Sequence, residues 1–486
     1  MVYIGIDLGT TYSCVAIIEN GRPLAIFNDD GRNTLPSVVA FSDGEILVGN
    51  SALNCNTELS NILYDSKRLI GWHILSDLPI AEDRQLWTFD VDTRNNSAGY
   101  VLNKGKSNEK FILPEEVSAK ILKSLKDQAE KYTNQNVTKA IVTVPASFHE
   151  SQIAATKKAA ELAGLKLKDL LKEPTASMLA YIDKFKLGGS KIMTFDFGGG
   201  TLDICIAQIN SDGYDLKATT GDLHLGGQDF DSRIMKFVID EFKKLSPDYD
   251  IYKKPRLLKR LRIECRKAKE SLSFSNSSLN VHLDTNDEYE INVELTKKKL
   301  NELCSDLFDK AMNLVERATN TARISADQLD YVILVGGSTR IPEIRQRLEN
   351  KFGKDKLKFD INPDEAVAFG AAIAANVPEV PSKLPHEDGI MTKFINLLWK
   401  PTKYEPLDEN QILLYRPDPP EWRKWASLAY FKDKLYYLGG GSTNRVDVLI
   451  DGKWQTGSAF PLPISSAQTI TCNGILYGHI IAYSLL

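Results

Sequence analysis

The sequence is poor in the residues that covalently cross-link a chain or bind structural metals. Among its 486 residues there are six cysteines, and none of them forms a C-x-x-C pair. Scattered cysteines fit a reducing compartment better than a disulfide framework, and they lack the clustering that zinc sites need. We therefore expect neither a disulfide scaffold nor a zinc centre, and we expect a cytoplasmic location.

Long apolar runs and an excess of charge of one sign are also missing. The longest late apolar stretch, residues 475–486, is broken by Gly478 and His479, and the N-terminus enters strand-like sequence at once. Neither a membrane span nor a signal peptide is expected. The 60 basic and 64 acidic residues give a formal net charge of −4. This balance gives no electrostatic reason to expect nucleic acid or a membrane surface as a partner.

A third absence concerns the best-known phosphate-binding motif. The pattern G-x-x-x-x-G-K-[ST] does not occur, because the nearest candidate, residues 105–107 (GKS), has Tyr100 where the first glycine is required. A nucleotide site in this chain must therefore be built in another way.

Two glycine-rich segments of the same design are present, at residues 4–11 (IGIDLGTT) and 194–203 (TFDFGGGTLD), with a third glycine pair at 335–340 (VGGSTR). In each of the first two, an apolar run ends at an aspartate, a Gly/Thr turn follows, and a second apolar run comes after it, at 14–18 and 204–209. Each segment predicts a β-hairpin whose tip is built from backbone.

The chemistry of such tips indicates a polyphosphate ligand. Glycines let the main chain approach an anion closely, and backbone N–H groups and threonine hydroxyls can donate to phosphate oxygens. A carboxylate beside the turn can hold Mg²⁺ through its water ligands. One such turn alone would be typical of an ordinary tight hairpin. Two matched copies and a third glycine pair instead predict a clamp that holds a nucleotide from both sides.

A family resemblance supports this interpretation. Residues 1 to about 380 resemble the nucleotide-binding domain of the seventy-kilodalton heat-shock chaperone family, within the actin and sugar-kinase superfamily. The matching stretches are residues 4–15, 66–71 (SKRLIG), 142–146 (VTVPA), 173–176 (EPTA), 195–203, 225–231 (LGGQDFD), 334–342 and 361–368 (INPDEAVA). The resemblance implies an α/β fold, a two-lobed actin-like ATPase made of duplicated ribonuclease-H-like domains, with a deep cleft closed at its base by crossing helices.

The domain organisation follows from the motif order. We expect an ATPase domain over residues 1–377, with lobe I at about 1–185 and lobe II at about 186–377, then a Pro-spaced linker at 378–410. Amphipathic patterns predict helices over 114–132 and 293–322. A helix-rich subdomain is expected over 231–313.

The C-terminal segment, residues 411–486, resembles a partial Kelch-type β-propeller. The matching features are residues 412–417, Trp422, Trp425, 435–440 (LYYLGG), 446–449, Lys453, Trp454 and 469–477. They amount to about one and a half blades, whereas a closed propeller takes about four to eight. Three interpretations stay open: a module completed by a partner, a poorly folded fusion, and an artefact of the gene model. The peptide-binding domain typical of the family is not expected.

The resemblance also assigns site residues. Those expected to be catalytic are Asp7, Lys67, Glu173, Asp196, Thr201 and Asp203, with Lys67 contacting the γ-phosphate and orienting the attacking water. Asp7 and Asp196 are expected to hold Mg²⁺ through water, with ATP or ADP as the nucleotide and K⁺ as a further candidate cofactor. Nucleotide contacts are expected from Gly9, Thr10, Thr11, Tyr12, Gly198, Gly199, Gly200, Thr201, Gly227, Arg266, Lys269, Glu270, Ser273, Gly336, Gly337, Ser338, Arg340, Ile341 and Asp364. Without the resemblance, Lys67 and Glu173 would be typical of solvated helix charges.

The sequence departs from the family in the adenosine pocket. Family members usually have Glu where Arg266 stands and Arg where Glu270 stands, so the two charges are exchanged. A carboxylate loses the stacking of a planar cation on adenine, which costs about 0.5–2 kcal/mol, or about two- to thirtyfold in affinity. A simpler interpretation is that Arg266 and Glu270 form an i,i+4 ion pair in swapped order. In either case we expect nucleotide binding to survive, in weakened form.

The cochaperone surface differs as well. This chain has Ile153 and Asp169 where the family usually has Arg, and Lys172 where it usually has Asn. Reversing charge at a docking site opposes an acidic partner, so coupling to a J-domain cochaperone is not expected. A nucleotide-exchange factor remains a candidate partner, as does an unknown protein bound through the Kelch-like segment.

The residues leave more than one function open. The first hypothesis is ATP binding and slow, Mg²⁺-dependent ATP hydrolysis by a chaperone-type domain without intrinsic peptide binding. The second is a nucleotide-gated interaction or scaffold protein with weak or absent hydrolysis. A complete foldase would need a separate chain to supply peptide binding, and a hexokinase-like role lacks a sugar-recognition segment.

Overall fold

The computed structural model describes residues 2–377, except residues 43, 74–79, 211–212, 276 and 286–288, together with six short strands between residues 427 and 476. The chain divides into two compact units, Met1–Trp399 and Lys400–Leu486. The expected linker, residues 378–410, and the Kelch-like features at 412–417, Trp422, Trp425 and 439–440 lie outside the described residues.

The first lobe is built on a mixed sheet. Its strands are β1 (Val2–Asp7), β2 (Tyr12–Glu19), β3 (Arg22–Ala25), β4 (Leu35–Pro36), β5 (Val39–Ser42), β6 (Glu45–Val48), β7 (Ile62–Leu63), β8 (Asp90–Arg94), β9 (Ser97–Leu102), β10 (Lys110–Ile112), β11 (Val137–Val144) and β12 (Leu167–Lys172). Its helices are α1 (Asn50–Asn54), α2 (Ser66–Leu69), α3 (Ala81–Leu86), α4 (Pro114–Thr133), α5 (Glu150–Leu162) and α6 (Glu173–Phe185). The main sheet has the order β12-β11-β1-β2-β3. Strands β1, β2 and β3 pair antiparallel, whereas β1, β11 and β12 pair parallel.

The second lobe repeats this plan. Its strands are β13 (Lys191–Phe197), β14 (Leu202–Asn210), β15 (Gly213–Asp222), β16 (Leu279–Asp284), β17 (Glu290–Leu295), β18 (Tyr331–Val335) and β19 (Leu357–Lys358). Its segment of the chain contains α7 (Gly227–Leu245), α8 (Pro255–Phe274), α9 (Lys297–Leu303), α10 (Ser305–Ala322), α11 (Pro342–Phe352) and α12 (Ala366–Asn376). The sheet order β15-β14-β13-β18-β19 again joins an antiparallel meander to two parallel strands. The shared order supports the expected duplication.

Most of the expected local elements are present. Both glycine-rich segments form antiparallel hairpins, and the helix expected over 114–132 is α4. The helix expected over 293–322 was wrong at its start, because residues 290–295 form β17, with every second side chain buried. Thr296 then caps α9, since its hydroxyl accepts a hydrogen bond from the Lys299 N–H at 3.0 Å. The expected subdomain over 231–313 therefore contains a β-hairpin, β16–β17, as well as helices.

Two helices cross tightly at the base of the cleft. Helix α12 is almost wholly buried, and it packs against α6 and against the sheet of the first lobe. A side chain on Gly370 would lie 1.6 Å from the Ala176 carbonyl oxygen, and one on Gly5 would lie 2.0 Å from the Ala372 nitrogen. The helix can sit between β1 and α6 only because both positions are glycine.

The second unit contains a four-stranded antiparallel meander. Its strands are β20 (Ser427–Phe431), β21 (Lys434–Leu438), β22 (Val446–Ile450) and β23 (Lys453–Thr456), paired in chain order. Two further strands, β24 (Thr471–Cys472) and β25 (Ile475–Leu476), pair with each other. The unit is thus β-rich where the structure describes it.

Free thiols and helix lengths can be given for the described part of the chain. Cys14, Cys55, Cys205, Cys265 and Cys304 are free thiols. Where the structure describes the chain, every helix is too short or too polar to span a membrane.

Candidate functional site

The tips of the two glycine hairpins touch each other. The second turn is closed by a hydrogen bond from the Gly198 N–H to the Thr201 carbonyl oxygen at 3.0 Å. A side chain on Gly199 would lie 2.1 Å from the Thr11 hydroxyl, and one on Gly200 would lie 2.7 Å from the Thr10 hydroxyl. The two lobes therefore bring their turns into direct contact, as a phosphate clamp requires.

The third glycine pair supports the second tip. Gly336 has a φ of +82°, and a Cβ there would lie 2.4 Å from the Phe197 carbonyl oxygen. The Ser338 hydroxyl donates to the Gly198 carbonyl oxygen at 2.7 Å, and the Gly227 N–H donates to the same oxygen at 3.0 Å. The turn at Gly198 is thus held by two other glycine-containing segments of the second lobe.

A buried ion pair lies beside the two tips. The Lys67 ammonium donates to the Glu173 carboxylate, and only 8% and 6% of the two residues are exposed. Burial alone lowers the pKa of Lys67, but the charges of Glu173 and Asp7 outweigh it and raise that pKa above its usual value. Lys67 is therefore a fixed positive charge, and the solvated-charge interpretation of both residues was wrong.

Three further carboxylates, those of Asp7, Asp196 and Asp203, lie near this pair, so Lys67 is a cation shared by four carboxylates. Burial, followed by the nearby Glu173 charge, raises the pKa of Asp7 and of Asp203 to about 7 and raises the pKa of Asp196 well above its usual value. One oxygen of Asp196 and one of Asp203 are buried without a hydrogen-bond partner among the described residues. Oxygen-only donors with excess negative charge fit a hard divalent cation such as Mg²⁺.

The cleft between the lobes has a volume of about 380 Å³. Of the residues predicted from the sequence, it is lined by Asp7, Gly9, Thr10, Thr11, Tyr12, Lys67, Glu173, Asp196, Gly198, Gly199, Thr201, Gly227, Arg266, Lys269, Glu270, Ser273, Gly336, Gly337, Ser338, Arg340, Ile341 and Asp364. Gly200 and Asp203 are not part of this lining; Asp203 is 1% exposed and accepts a hydrogen bond from the Ala146 N–H at 3.0 Å.

Seven lining residues were missed at the sequence level. They are Arg32, Thr34, Gln228, Asp231, Phe274, Pro363 and Val367. Gln228 and Asp231 belong to the quoted motif 225–231, so their spacing from Gly227 could have identified them. Phe274 follows Glu270 by four residues on α8, which places both side chains on one helix face. Arg32 and Thr34 carry no comparable sequence signal.

The exchanged charges on α8 have different partners from those expected. Arg266 lies 3.3 Å from one Asp231 carboxylate oxygen, and Lys269 lies 2.7 Å from the other. In the described part of the chain there is no Arg266–Glu270 ion pair, so the i,i+4 interpretation was wrong. Arg266 pairs with Asp231 and not with Glu270, because Asp231 is only 1% exposed and a buried carboxylate needs compensating cations. Glu270 is exposed to the cleft.

A second charged cluster joins the lobes above the cleft. Arg68, from α2, donates to both Asp229 oxygens at 3.1 Å and to Asp83 at 3.3 Å. His224 lies 2.5 Å from Asp83 and 3.4 Å from Asp229. Burial would raise the pKa of Asp83, but its hydrogen bond with His224 and the charge of Arg68 lower it. Gln228 adds another link, since its amide donates to Asp65 at 2.7 Å and to Thr11 at 3.2 Å.

The three residues expected to affect a cochaperone surface lie apart from the cleft lining. Asp169 and Lys172 are exposed on β12, and Ile153 is half-buried on α5. Asp169 accepts a hydrogen bond from the Leu170 N–H at 2.8 Å. Asp169 and Lys172 are therefore accessible from outside, and none of the three residues is part of the cleft lining.

Comparison with known proteins agrees with this geometry. The family model described as "Hsp70 protein" matches residues 3–384. The chain is 41% identical over 383 residues to the heat shock cognate 70 kDa protein 3 of Dictyostelium discoideum, covering 78% of this chain and 60% of that protein. It is 42% identical over 378 residues to the heat shock 70 kDa protein BIP3 of Oryza sativa subsp. japonica, covering 77% and 56% of the two chains. For a heat shock 70 kDa protein of Neurospora crassa the identity is 41% over 377 residues, covering 77% and 58%.

These matches cover most of this chain but only part of the relatives. The chain spans 56–60% of the length of the three proteins. The two-lobed α/β architecture of residues 2–377 is the actin-like ATPase fold expected from the motifs, and the matched region is a chaperone-type nucleotide-binding domain. The chain belongs to the Hsp70 family.

Proposed function

We propose that this protein binds ATP and ADP with Mg²⁺ in the cleft between its lobes and hydrolyses ATP slowly. The observation that carries the proposal is the buried Lys67–Glu173 pair beside the carboxylates of Asp7, Asp196 and Asp203, at the point where the two glycine tips meet. A site for inert packing would not hold the three buried carboxylates of Glu173, Asp196 and Asp203 and the half-buried Asp7 around one lysine, because uncompensated buried charge is costly.

The residues divide the work of phosphoryl transfer between them. Backbone N–H groups of the two turns and the hydroxyls of Thr10, Thr11 and Thr201 are placed to donate to phosphate oxygens. Lys67 supplies a fixed positive charge against the γ-phosphate and can orient the water that attacks it. Glu173 accepts a hydrogen bond from the Lys67 ammonium through one carboxylate oxygen, and its other oxygen would be available as an acceptor for the reacting water.

Asp7 and Asp196 would hold the metal ion. Asp203, which is not part of the cleft lining, would support them with a further negative charge. Mg²⁺ held by these carboxylates would supply positive charge against the charge that develops on the transferring phosphate. Asp203 is oriented by the Ala146 N–H, so its position is fixed by the end of β11. Since these carboxylates favour a divalent cation over K⁺, we assign K⁺ no residues.

The test is a calorimetric titration of the full chain with Mg-ATP and with Mg-ADP, followed by single-turnover product analysis in the same samples. Binding with slow release of ADP and phosphate is the expected result. Failure of both nucleotides to bind would refute the proposal. Binding without any turnover would favour the second candidate, a nucleotide-gated interaction protein, which the engagement of Arg266 by Asp231 and the altered Asp169 and Lys172 also favour.

For the C-terminal unit we propose a Kelch-type blade formed by the meander β20–β23. Its sequential antiparallel order and the glycine pair that follows β21 in the sequence support this assignment. A lone blade leaves strand edges to be covered, so a protein partner would complete it. Limited proteolysis of the full chain should spare residues 427–456, and rapid cleavage within the four strands would refute a folded blade.

Partners and a cellular location were also predicted from the sequence. We propose a cytoplasmic protein that accepts a nucleotide-exchange factor and is not stimulated by a J-domain. The exposed carboxylate of Asp169 supports the loss of J-domain coupling, because it opposes an acidic partner. Stimulation of single-turnover hydrolysis by a J-domain would contradict that part of the proposal.

A further inference from the structure

Phe274 is the most exposed large apolar side chain among the described residues, at 82%, and it lies inside the cleft. The next most exposed is Leu245, at 79%, which ends α7 and is not part of the cleft lining. An apolar ring held in water within a binding cleft is an unused contact surface, because covering it is favourable.

Phe274 belongs to a stripe of side chains that faces the cleft. Arg266, Lys269, Glu270, Ser273 and Phe274 follow the spacing i, i+3, i+4, i+7 and i+8 on α8, and all five line the cleft. Helical rise places Phe274 about 12 Å beyond Arg266 along the axis.

The two ends of this stripe face different parts of the cleft. The Lys269 ammonium donates to the Gly227 carbonyl oxygen at 2.8 Å, and the Gly227 N–H donates to the phosphate turn at Gly198. Lys269 is therefore tied to the phosphate turns, and Arg266 shares the Asp231 carboxylate with it. Phe274 lies at the opposite end of the stripe, away from these turns, on the side of the cleft left for the base of a nucleotide that is anchored by its phosphates.

The third glycine segment, residues 335–340, contributes a planar cation, Arg340, to the cleft lining. Arg340 lies 2.8 Å from the Asp364 carboxylate and donates to the Asn362 side chain at 3.0 Å. These two acceptors fix the guanidinium, which can stack on an aromatic face. Glu270 cannot act in the same way, since a carboxylate has no affinity for a π-face.

We propose that Phe274 stacks on the nucleobase and is the main base-binding side chain contributed by α8. The proposal rests on the proposed nucleotide binding. Phe274 then supplies the stacking surface that Glu270 lacks, one helical turn away. Because every base has a π-face, stacking on Phe274 tolerates a change of base. Guanine nucleotides should therefore depend on Phe274 as adenine nucleotides do.

The test is a titration of the full-length protein with Mg-ADP and with Mg-GDP in three variants. Phe274→Ala should weaken Mg-ADP binding by roughly fivefold to a hundredfold, the range that loss of one base–aromatic stack produces. Mg-GDP should lose a similar factor. Phe274→Tyr keeps the ring and should bind both nucleotides as the unchanged protein does. Leu245→Ala removes an equally exposed apolar side chain outside the cleft and should change neither affinity.

Melting temperatures without nucleotide separate binding from folding, and an exposed side chain such as Phe274 should leave them unchanged. Unaltered Mg-ADP affinity in Phe274→Ala would overturn the stacking proposal while leaving nucleotide binding intact. A loss of affinity that Phe274→Tyr does not restore, or one that accompanies a lowered melting temperature, would overturn it as well. Failure of the unchanged protein to bind either Mg-ADP or Mg-ATP would instead refute the proposed function, and the stacking inference with it.

Discussion

The phosphate end and the base end of the cleft are built on different principles. At the phosphate end, backbone turns contact each other, and the charged side chains of Lys67 and Glu173 are buried. At the base end the lining consists of side chains such as Glu270 and Phe274 that stand exposed on one helix face. The first region is fixed by packing, whereas the second is free to change without disturbing the fold.

This difference explains where the chain keeps to its family and where it departs. A residue changed at the phosphate end would collide with backbone or leave a buried charge without a partner. A residue changed on the exposed face of α8 alters only what it meets in the cleft. Glu270 is of the second kind, because it is exposed to the cleft. Arg266 is half-buried and is compensated by the buried Asp231.

The largest effect is expected from Lys67→Ala. Removing a fixed charge directed at the transferring phosphate should slow single-turnover ATP hydrolysis at least tenfold, and by about a hundredfold on the scale of one lost transition-state donor. Mg-ATP should still bind, because the glycine turns remain. Product analysis in single-turnover reactions measures this rate.

Lys104→Ala is the matched control, because Lys104 forms an exposed ion pair with Asp90. This variant should leave the rate of ATP hydrolysis unchanged and alter the free energy of unfolding by no more than about 1 kcal/mol. Equal turnover in Lys67→Ala and the unchanged protein would remove Lys67 from the mechanism. It would also make the phosphate end as replaceable as the base end.

A pair of glycine variants compares the two ends directly. A Cβ on Gly226 would lie 2.4 Å from the Gly200 nitrogen, so Gly226→Ala forces backbone apart at the second tip. Overpacking of this kind costs about 1–3 kcal/mol, which corresponds to about five- to a hundredfold in Mg-ADP affinity if the turn is displaced. A Cβ on Gly337 would meet only an Asp364 oxygen at 3.3 Å. Gly337→Ala should change affinity by about twofold or less.

Calorimetric Mg-ADP affinities, with melting temperatures of both glycine variants, provide the comparison. If Gly337→Ala is the more damaging of the two, the base end is also limited by backbone packing and the contrast fails.

The smallest effect is expected from Glu270→Arg. Restoring a planar cation that can stack on the base should raise Mg-ADP affinity by about two- to thirtyfold. Glu264→Arg makes the same change of charge on α8 outside the cleft lining, and it should leave the affinity unaltered. A similar gain in both variants would attribute the effect to overall charge and not to stacking.

The two glycine hairpins of the phosphate end were predictable from the sequence because short local patterns encode them, whereas the burial of Lys67 and Glu173 beside them was not. In both copies an apolar run, an aspartate and a Gly/Thr turn form a hairpin, and the tips of the two hairpins meet. The side-chain contacts at the base end could not be predicted, because they join segments that are distant in sequence. Arg266 could pair with Glu270 on its own helix or with Asp231 on another, and only the tertiary fold decides between them. The start of α9 was predicted wrongly for a local reason. Residues 290–295 alternate between exposed and buried side chains, as a strand does, but residues 293–295 were assigned to the helical pattern that follows.

The close crossing of α12 also has a consequence for synthesis of the chain on the ribosome. Gly5 lies against Ala372, so the first strand meets its last neighbour only after about 370 residues, or about 20–70 s at ordinary elongation rates. During that interval the uncovered face of the N-terminal sheet presents Cys14, Ala16 and Ala25, the small residues that later contact Ala368 and Ala372. These three side chains are small, so the part of the sheet formed by β2 and β3 offers little apolar area to other unfinished chains before α12 covers it.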